Sequence, residues 1–121
     1  MTFRKDDAGK PRIHLLPTEA LLGAARVMTH GAEKYSDHNW RKAASWNRYY
    51  DAAQRHLMLW QLGEDTDESG LPAIDHAACS VLMLSSLIKT ETGIDDRFFG
   101  FDEDEAEPEP VVTRPRRRKR S

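Results

Sequence analysis

The sequence predicts an all-α fold, a small helical bundle, from three observations. Four elements read as helical, apolar residues recur at helical spacing along them between recognisable start and stop residues, and no run reads convincingly as a strand. In the first stretch, Thr18 can cap a helix from Glu19 to about His30. Leu21, Leu22, Ala25, Val27 and Met28 supply its apolar stripe, and Gly31 suits the left-handed position just beyond its end. Ser45 caps a second helix over 46–62, and Gly63 closes it in the same way. Pro72 fits the first turn of a third helix over 72–90, which is apolar around most of its circumference and is expected to be central. The small Ala77, Ala78, Cys79 and Ser80 would let a neighbour approach it closely. Gly93 ends that helix, and Ile94 to Phe101 reads as a short final helix or an apolar strap.

Composition places these helices in one domain, residues 1–101. The chain has 121 residues, 39% hydrophobic and 31% charged, with a formal net charge of −2, as expected for one soluble unit. No apolar run approaches the roughly 18 residues that span a bilayer, and no leader pattern opens the chain, so no membrane partner and a cytoplasmic location are expected. The lone Cys79 sits between Ala78 and Ser80, which argues for a small core residue and against a disulfide framework or a cysteine zinc site. Residues 102–121 are expected to be a disordered tail: six of eight residues from Asp102 to Glu109 are acidic, and Arg114 to Arg120 holds six basic residues and a proline. That basic run, RPRRRKR, can contact nucleic-acid phosphates, although solvated terminal charge is the commoner role. About 85 ordered residues make a thin core. Trp40, Trp46, Trp60, Tyr49 and Tyr50 exceed its needs, which points to burial at a homo-oligomer interface or to the walls of a ligand pocket.

Chemistry is concentrated in RHLMLWQLGEDTDESGLPAIDHAAC, Arg55 to Cys79, where two histidines flank a turn with four acids in five residues. If the second and third helices reverse near Asp67, His56 and His76 stand level across the hairpin. Helical steps of about 100° place Tyr49, Ala53, His56, Trp60 and Glu64 in one stripe, and His76 with Ser80, Met83 and Leu87 in another, so the histidines are expected to face each other. Taken singly, the acidic turn reads as solvated surface and each histidine as a core residue; together they suggest a divalent-metal site. His14, His30 and His38 lack such partners. The loop HGAEKYSDHNWRKAASWNRYY is polar and irregular, with Lys34, Arg41, Lys42 and Arg48 for charge. Arginine and lysine can hold phosphate oxygens, while Tyr35, Trp40 or Asn39 can stack on or hydrogen-bond to a base.

Five blocks in order, LLPTEAL, GAEKYSDHNWR, RYYDAAQRHL, GEDTDESGLP and DHAAC, resemble the small phage-associated dATP/dGTP diphosphohydrolases, relatives of the MazG-like all-α NTP pyrophosphatases. The resemblance covers about Lys10 to Ile88. It implies a bundle assembled as a homo-dimer or homo-tetramer, encoded by a phage and acting in the host cytoplasm. It also implies Mg²⁺ or Mn²⁺ as cofactor and hydrolysis of a purine (deoxy)nucleoside triphosphate, dGTP, dATP or GTP, to the monophosphate and pyrophosphate. The chain departs from the wider pattern in lacking ExxE and ExxD motifs on the corresponding helices, and in having Ala73 and Ser80 where the closer family has histidine and asparagine.

Hydrolysing a triphosphate requires neutralised oxygens and a nucleophile made from water. Glu64, Asp67 and Glu68 offer hard oxygen ligands, His76 is a ligand or an orienting group, and His56 is a ligand or general base. Catalysis is expected to centre on His56 and Glu64, and the imidazoles tilt the metal preference towards Mn²⁺. Lys34 and Arg41 would hold the phosphates, with Arg55 as a further candidate. Two alternatives stand beside this reading. An HD-type phosphohydrolase needs His-Asp in that order, whereas here Asp75-His76 is reversed; the other is a non-enzymatic helical module that binds nucleotides, or DNA through the basic tail.

Overall fold

The computed structural model describes residues 2, 4–42 and 45–100, so the charged segment 102–121 and its expected disorder lie outside the described residues. Three α-helices carry the fold: α1 Thr18–Lys34, α2 Trp46–Gln61 and α3 Ala73–Lys89. Single turns of 3-10 helix at Ile13–Leu15 and Asn39–Lys42 precede α1 and α2. The fold is all-α, and among the described residues strand-like pairing is confined to isolated bridges between Ser45 and Ile94 and between Thr66 and Pro72. No described helix is long and apolar enough to cross a membrane.

Each expected helix is present, but its ends are made differently. Thr18 lies inside α1, whose N-cap is Pro17; that carbonyl accepts the N–H groups of Ala20 at 3.2 Å and Leu21 at 3.1 Å. Gly31 does not end α1. The good helix formers Ala32, Glu33 and Lys34 carry it one turn further, and the Gly31 carbonyl accepts the Tyr35 N–H at 2.9 Å. Pro72 is likewise the N-cap of α3 rather than its first helical residue. Gly63 does follow the end of α2 at φ +97, the left-handed geometry that favours glycine.

The start of α2 is held from a distance. Ser45 occupies the N-cap, yet its hydroxyl donates to the Asp96 carboxylate at 2.6 Å, and the same carboxylate accepts the Asn47 backbone N–H at 3.0 Å. Residues 92–97 form a strap rather than a helix. The Trp46 N–H donates to the Ile94 carbonyl at 3.1 Å, its indole N–H to the Thr92 carbonyl at 2.9 Å, and the Asn47 amide to the Asp96 carbonyl at 2.8 Å. Arg97 forks onto buried Asp95 at 2.7 and 2.6 Å and lies against the Trp46 and Phe99 rings.

As expected, α3 is central: α1 and α2 both pack on it and make at most marginal contact with each other. The core is built from small side chains. Ala24, Ala53, Ala73, Ala77, Cys79 and Ser80 are buried, with Trp46 and Leu87 the large exceptions. Where α1 meets α3, a Cβ on Gly23 would run into the Asp75 carboxylate, so glycine there sets the approach. Cys79 is the expected small core residue. Its thiol donates to the Ala24 carbonyl at 3.1 Å, and burial together with the Asp75 charge pushes its pKa up to about 11.

Small residues inside leave large ones outside. Ile74, Val81, Leu82 and Ile88 lie exposed on α3 at helical spacing, and Leu57, Met58 and Leu62 are exposed on or just beyond α2. The stripe expected to be buried on α2 ends at His56: Ala53 is buried and His56 half-buried, but Trp60 is 48% exposed and Glu64 is fully at the surface.

Candidate metal and nucleotide site

The turn between α2 and α3 sorts its four acids. Gly70, at φ +85, reverses the chain and donates its N–H to the Asp67 carbonyl at 2.9 Å. The Asp67 side chain curls inward and accepts the Ser69 N–H at 2.8 Å and the Ser69 hydroxyl, the pattern of an Asx turn. Glu64, Asp65 and Glu68 remain exposed. An Asp-x-Ser-Gly run is a sequence signal for such a turn, and Asp67 was distinguishable from its neighbours on that ground.

His56, Asp67 and His76 converge, with one potential ligand atom from each within 4.8 Å of the others. The reversal that was expected does bring the histidines face to face: their rings stack with centroids 4.7 Å apart and planes inclined by 16°. His76 Nε2 lies 3.0 Å from Asp67 Oδ2 and 3.2 Å from the Ser69 hydroxyl. These side chains are sheltered, at 14% exposure for His76 and 18% for Asp67. Ser69, which steadies both, has no counterpart among the sequence-predicted residues. Glu64 and Glu68 lie outside the group of three, although Glu68 reaches the cleft described below.

The electrostatics leave His56 neutral at physiological pH. Burial strips hydration from its charged form and His76 adds like-charge repulsion, so its pKa falls below the ordinary histidine value. For Asp67, burial acts upward, but the Ser69 hydrogen bonds and the nearby histidines overcome it and hold the carboxyl below its usual range. Neutral imidazole and ionised carboxylate are the states that ligate metals. The donor set fits a divalent cation on a further ground: His56 Nδ1 is buried without a hydrogen-bond partner among the described residues, and an orphaned polar atom of that kind costs about 1–3 kcal/mol unless something meets it. Ligands about 2.1 Å from an octahedral cation stand about 3 Å apart when adjacent, the spacing His76 and Asp67 already have.

This cluster opens into a cleft of about 1060 Å³ between the second half of α1, the 35–42 loop, the start of α2 and the acidic turn. Asp67, Ser69 and His76 line it, as do Lys34, Tyr35, Asn39 and Trp40, all sequence candidates for substrate contact, whereas His56 of the cluster is not a lining residue. Tyr49 ties the loop to α2 by donating its hydroxyl to the Trp40 carbonyl at 3.1 Å. Arg41 and Arg55 are not among the lining residues. Arg41 instead lies over the Trp40 ring at 4.2 Å and donates to His38 and Ser86, each at 3.4 Å. Lys42 and Arg48 do line the cleft. Ala73 and Ser80, the two departures from the family pattern, are buried on α3 and do not line it.

Comparison with known proteins agrees with the resemblance read from the five sequence blocks. The family described as dATP/dGTP diphosphohydrolase, N-terminal, matches residues 2–97, and the chain belongs to that family. A protein of Salmonella phage PMBT28 named dATP/dGTP diphosphohydrolase is 33% identical over 98 residues, which cover 80% of this chain and 33% of that protein. The chain thus spans about a third of the length of the curated relative it matches. No solved structure gives a significant match.

Proposed function

We propose that this domain carries a metal-dependent site that hydrolyses purine (deoxy)nucleoside triphosphates to the monophosphate and pyrophosphate. One observation carries the proposal. A single cleft is lined both by Asp67 and His76, two members of the two-histidine, one-carboxylate cluster, and by aromatic and cationic side chains, matching the two needs of a nucleoside triphosphate. The purine preference is taken from the name of the family and of the phage relative.

In this reading His56, Asp67 and His76 hold the cation, and Ser69 fixes the carboxylate and the His76 ring in place. Two borderline imidazole donors favour Mn²⁺ over Mg²⁺. A divalent cation bound there would neutralise phosphate charge and lower the pKa of a bound water. Lys34 supplies positive charge in the same cleft, and the exposed Tyr35 ring together with Trp40 and Asn39 provides surfaces for the base. Association of copies of this chain through the exposed α2 and α3 faces would bury Trp60, Val81 and Leu82, and is part of the proposal. Light scattering of the purified protein should then give the mass of a dimer or tetramer.

The test is turnover of each (d)NTP with Mn²⁺ and with Mg²⁺, resolving monophosphate, pyrophosphate and phosphate. Purine monophosphate and pyrophosphate should accumulate faster with Mn²⁺, and Asp67→Asn should abolish the activity. Loss in Glu64→Gln with activity retained in Asp67→Asn would move the centre to the exposed part of the turn. Absence of hydrolysis with either metal would sink the proposal.

A further inference from the structure

Three cations line the cleft, and one of them stands apart. Lys34 lies 5.5 Å over the Tyr35 ring and belongs to the same wall as the proposed base contacts. Lys42 closes the 3-10 turn that carries Trp40. Arg48 comes from α2, the helix that also carries His56, eight positions further along. A rise of 1.5 Å per residue separates the two by about 12 Å along the axis. Arg48 is exposed, and among the described residues it makes no hydrogen bond or ion pair. Its fork is therefore available, whereas Arg41 is already committed to Trp40, His38 and Ser86.

We infer that Arg48 is the phosphate-gripping residue of this cleft, its guanidinium holding non-bridging oxygens of the triphosphate while the His56, Asp67 and His76 cluster lies further along the same chain of phosphates. The assignment rests on the nucleotide reading given above. A planar five-donor fork suits two oxygens of one phosphate, which a lysine ammonium does not match. α2 fixes the backbone separation of Arg48 and His56, so a grip at Arg48 favours triphosphates, long enough to reach the cluster, over the monophosphate product. Because the Tyr49 hydroxyl joins the neighbouring position of α2 to the Trp40 carbonyl, the grip and the base wall are held in one register.

Calorimetry with Mn²⁺, an α,β-methylene analogue of dGTP and dGMP tests this, using the full chain as wild type, Arg48→Gln and Arg48→Lys. Manganese affinity measured alone by electron paramagnetic resonance reports on the cluster separately. Arg48→Gln should bind the analogue about tenfold or more weakly while Mn²⁺ and dGMP binding stay unchanged, and Arg48→Lys should recover part of the loss. If Arg48→Gln binds the analogue as tightly as wild type, the assignment fails and the function proposal survives. Equal weakening for dGMP and the analogue also overturns it, because Arg48 would then serve the nucleoside or the fold. If wild type binds no nucleotide with Mn²⁺ present, the function proposal fails and this assignment fails with it.

Discussion

The Asp96 carboxylate caps a helix that begins 50 residues before it, accepting the Asn47 backbone N–H at 3.0 Å where the local Ser45 hydroxyl was expected to serve. Ser45 instead donates to the same carboxylate, so one acid both satisfies the helix end and fastens the strap. Asp96→Ala should cost about 1 kcal/mol through loss of the cap. In a domain of this size that lowers the melting temperature by about 4–8 °C. Asp96→Asn, which keeps an oxygen acceptor, should lose less. Thermal circular dichroism of both variants checks this.

The depressed His56 pKa sets a direction for stability against pH. The folded protein binds fewer protons than the unfolded chain between the folded His56 value and the ordinary value of about 6.5. The stability that neutral His56 contributes is present above about pH 6.5 and is lost as pH falls towards the folded value. Asp67, depressed as well, acts only below the usual aspartate range and does not enter this window. Without added metal, the melting temperature should fall from about pH 7 to about pH 5, and His56→Gln should flatten that slope. An unchanged slope in the variant would show that His56 does not titrate as its burial requires.

His56 sits on α2, Asp67 on the turn and His76 on α3, so a cation held by all three links the two arms of the hairpin. Manganese should raise the melting temperature, with a stabilisation near 2.7 kcal/mol at about 100 times the dissociation constant. The rise should vanish in Asp67→Asn. Differential scanning fluorimetry across a manganese series measures it, with magnesium expected to give the smaller shift.

Tyr49→Phe removes one hydroxyl, the donor to the Trp40 carbonyl. A loss of about 1 kcal/mol in stability is expected for one hydrogen bond. The more specific effect should fall on the loop: faster limited proteolysis between residues 35 and 42 and a raised nucleotide KM, with manganese affinity unchanged.

These relationships show which parts of the molecule local sequence can reveal. Helical period marked all three helices, though only Gly63 among the expected stop residues stands just past a helix end, and the hairpin reversal put His56 opposite His76. The choice of Asp67 among four acids depended on a turn geometry in which Gly70 and Ser69 act together. The Asp96 cap was invisible because its partners lie far away in the chain, and nothing local at Ser45 reveals a competing acceptor. Likewise, Arg41 and Arg48 are equivalent as loop cations until the Trp40 ring, His38 and Ser86 are seen to occupy the first. Gly31 misled because a glycine stop signal competes with the propensity of the three residues after it.

Building the core from alanines, a cysteine and a serine inverts the usual map of mutational tolerance. Positions 73 and 77 have almost no room, since Ala73 is 1% exposed and Ala77 4% exposed. An extra methyl or two there has to separate helices, and overpacking of this kind commonly costs about 1–3 kcal/mol. Val81 and Leu82, by contrast, face outward and can be shortened within a lone chain at little cost. In a saturation library selected for folding, the residues that look most replaceable by size would be the most restricted. Ala73 and Ala77 share α3 with His76, so a bulkier side chain at either position is expected to disturb the spacing of His56 and His76 along with the packing.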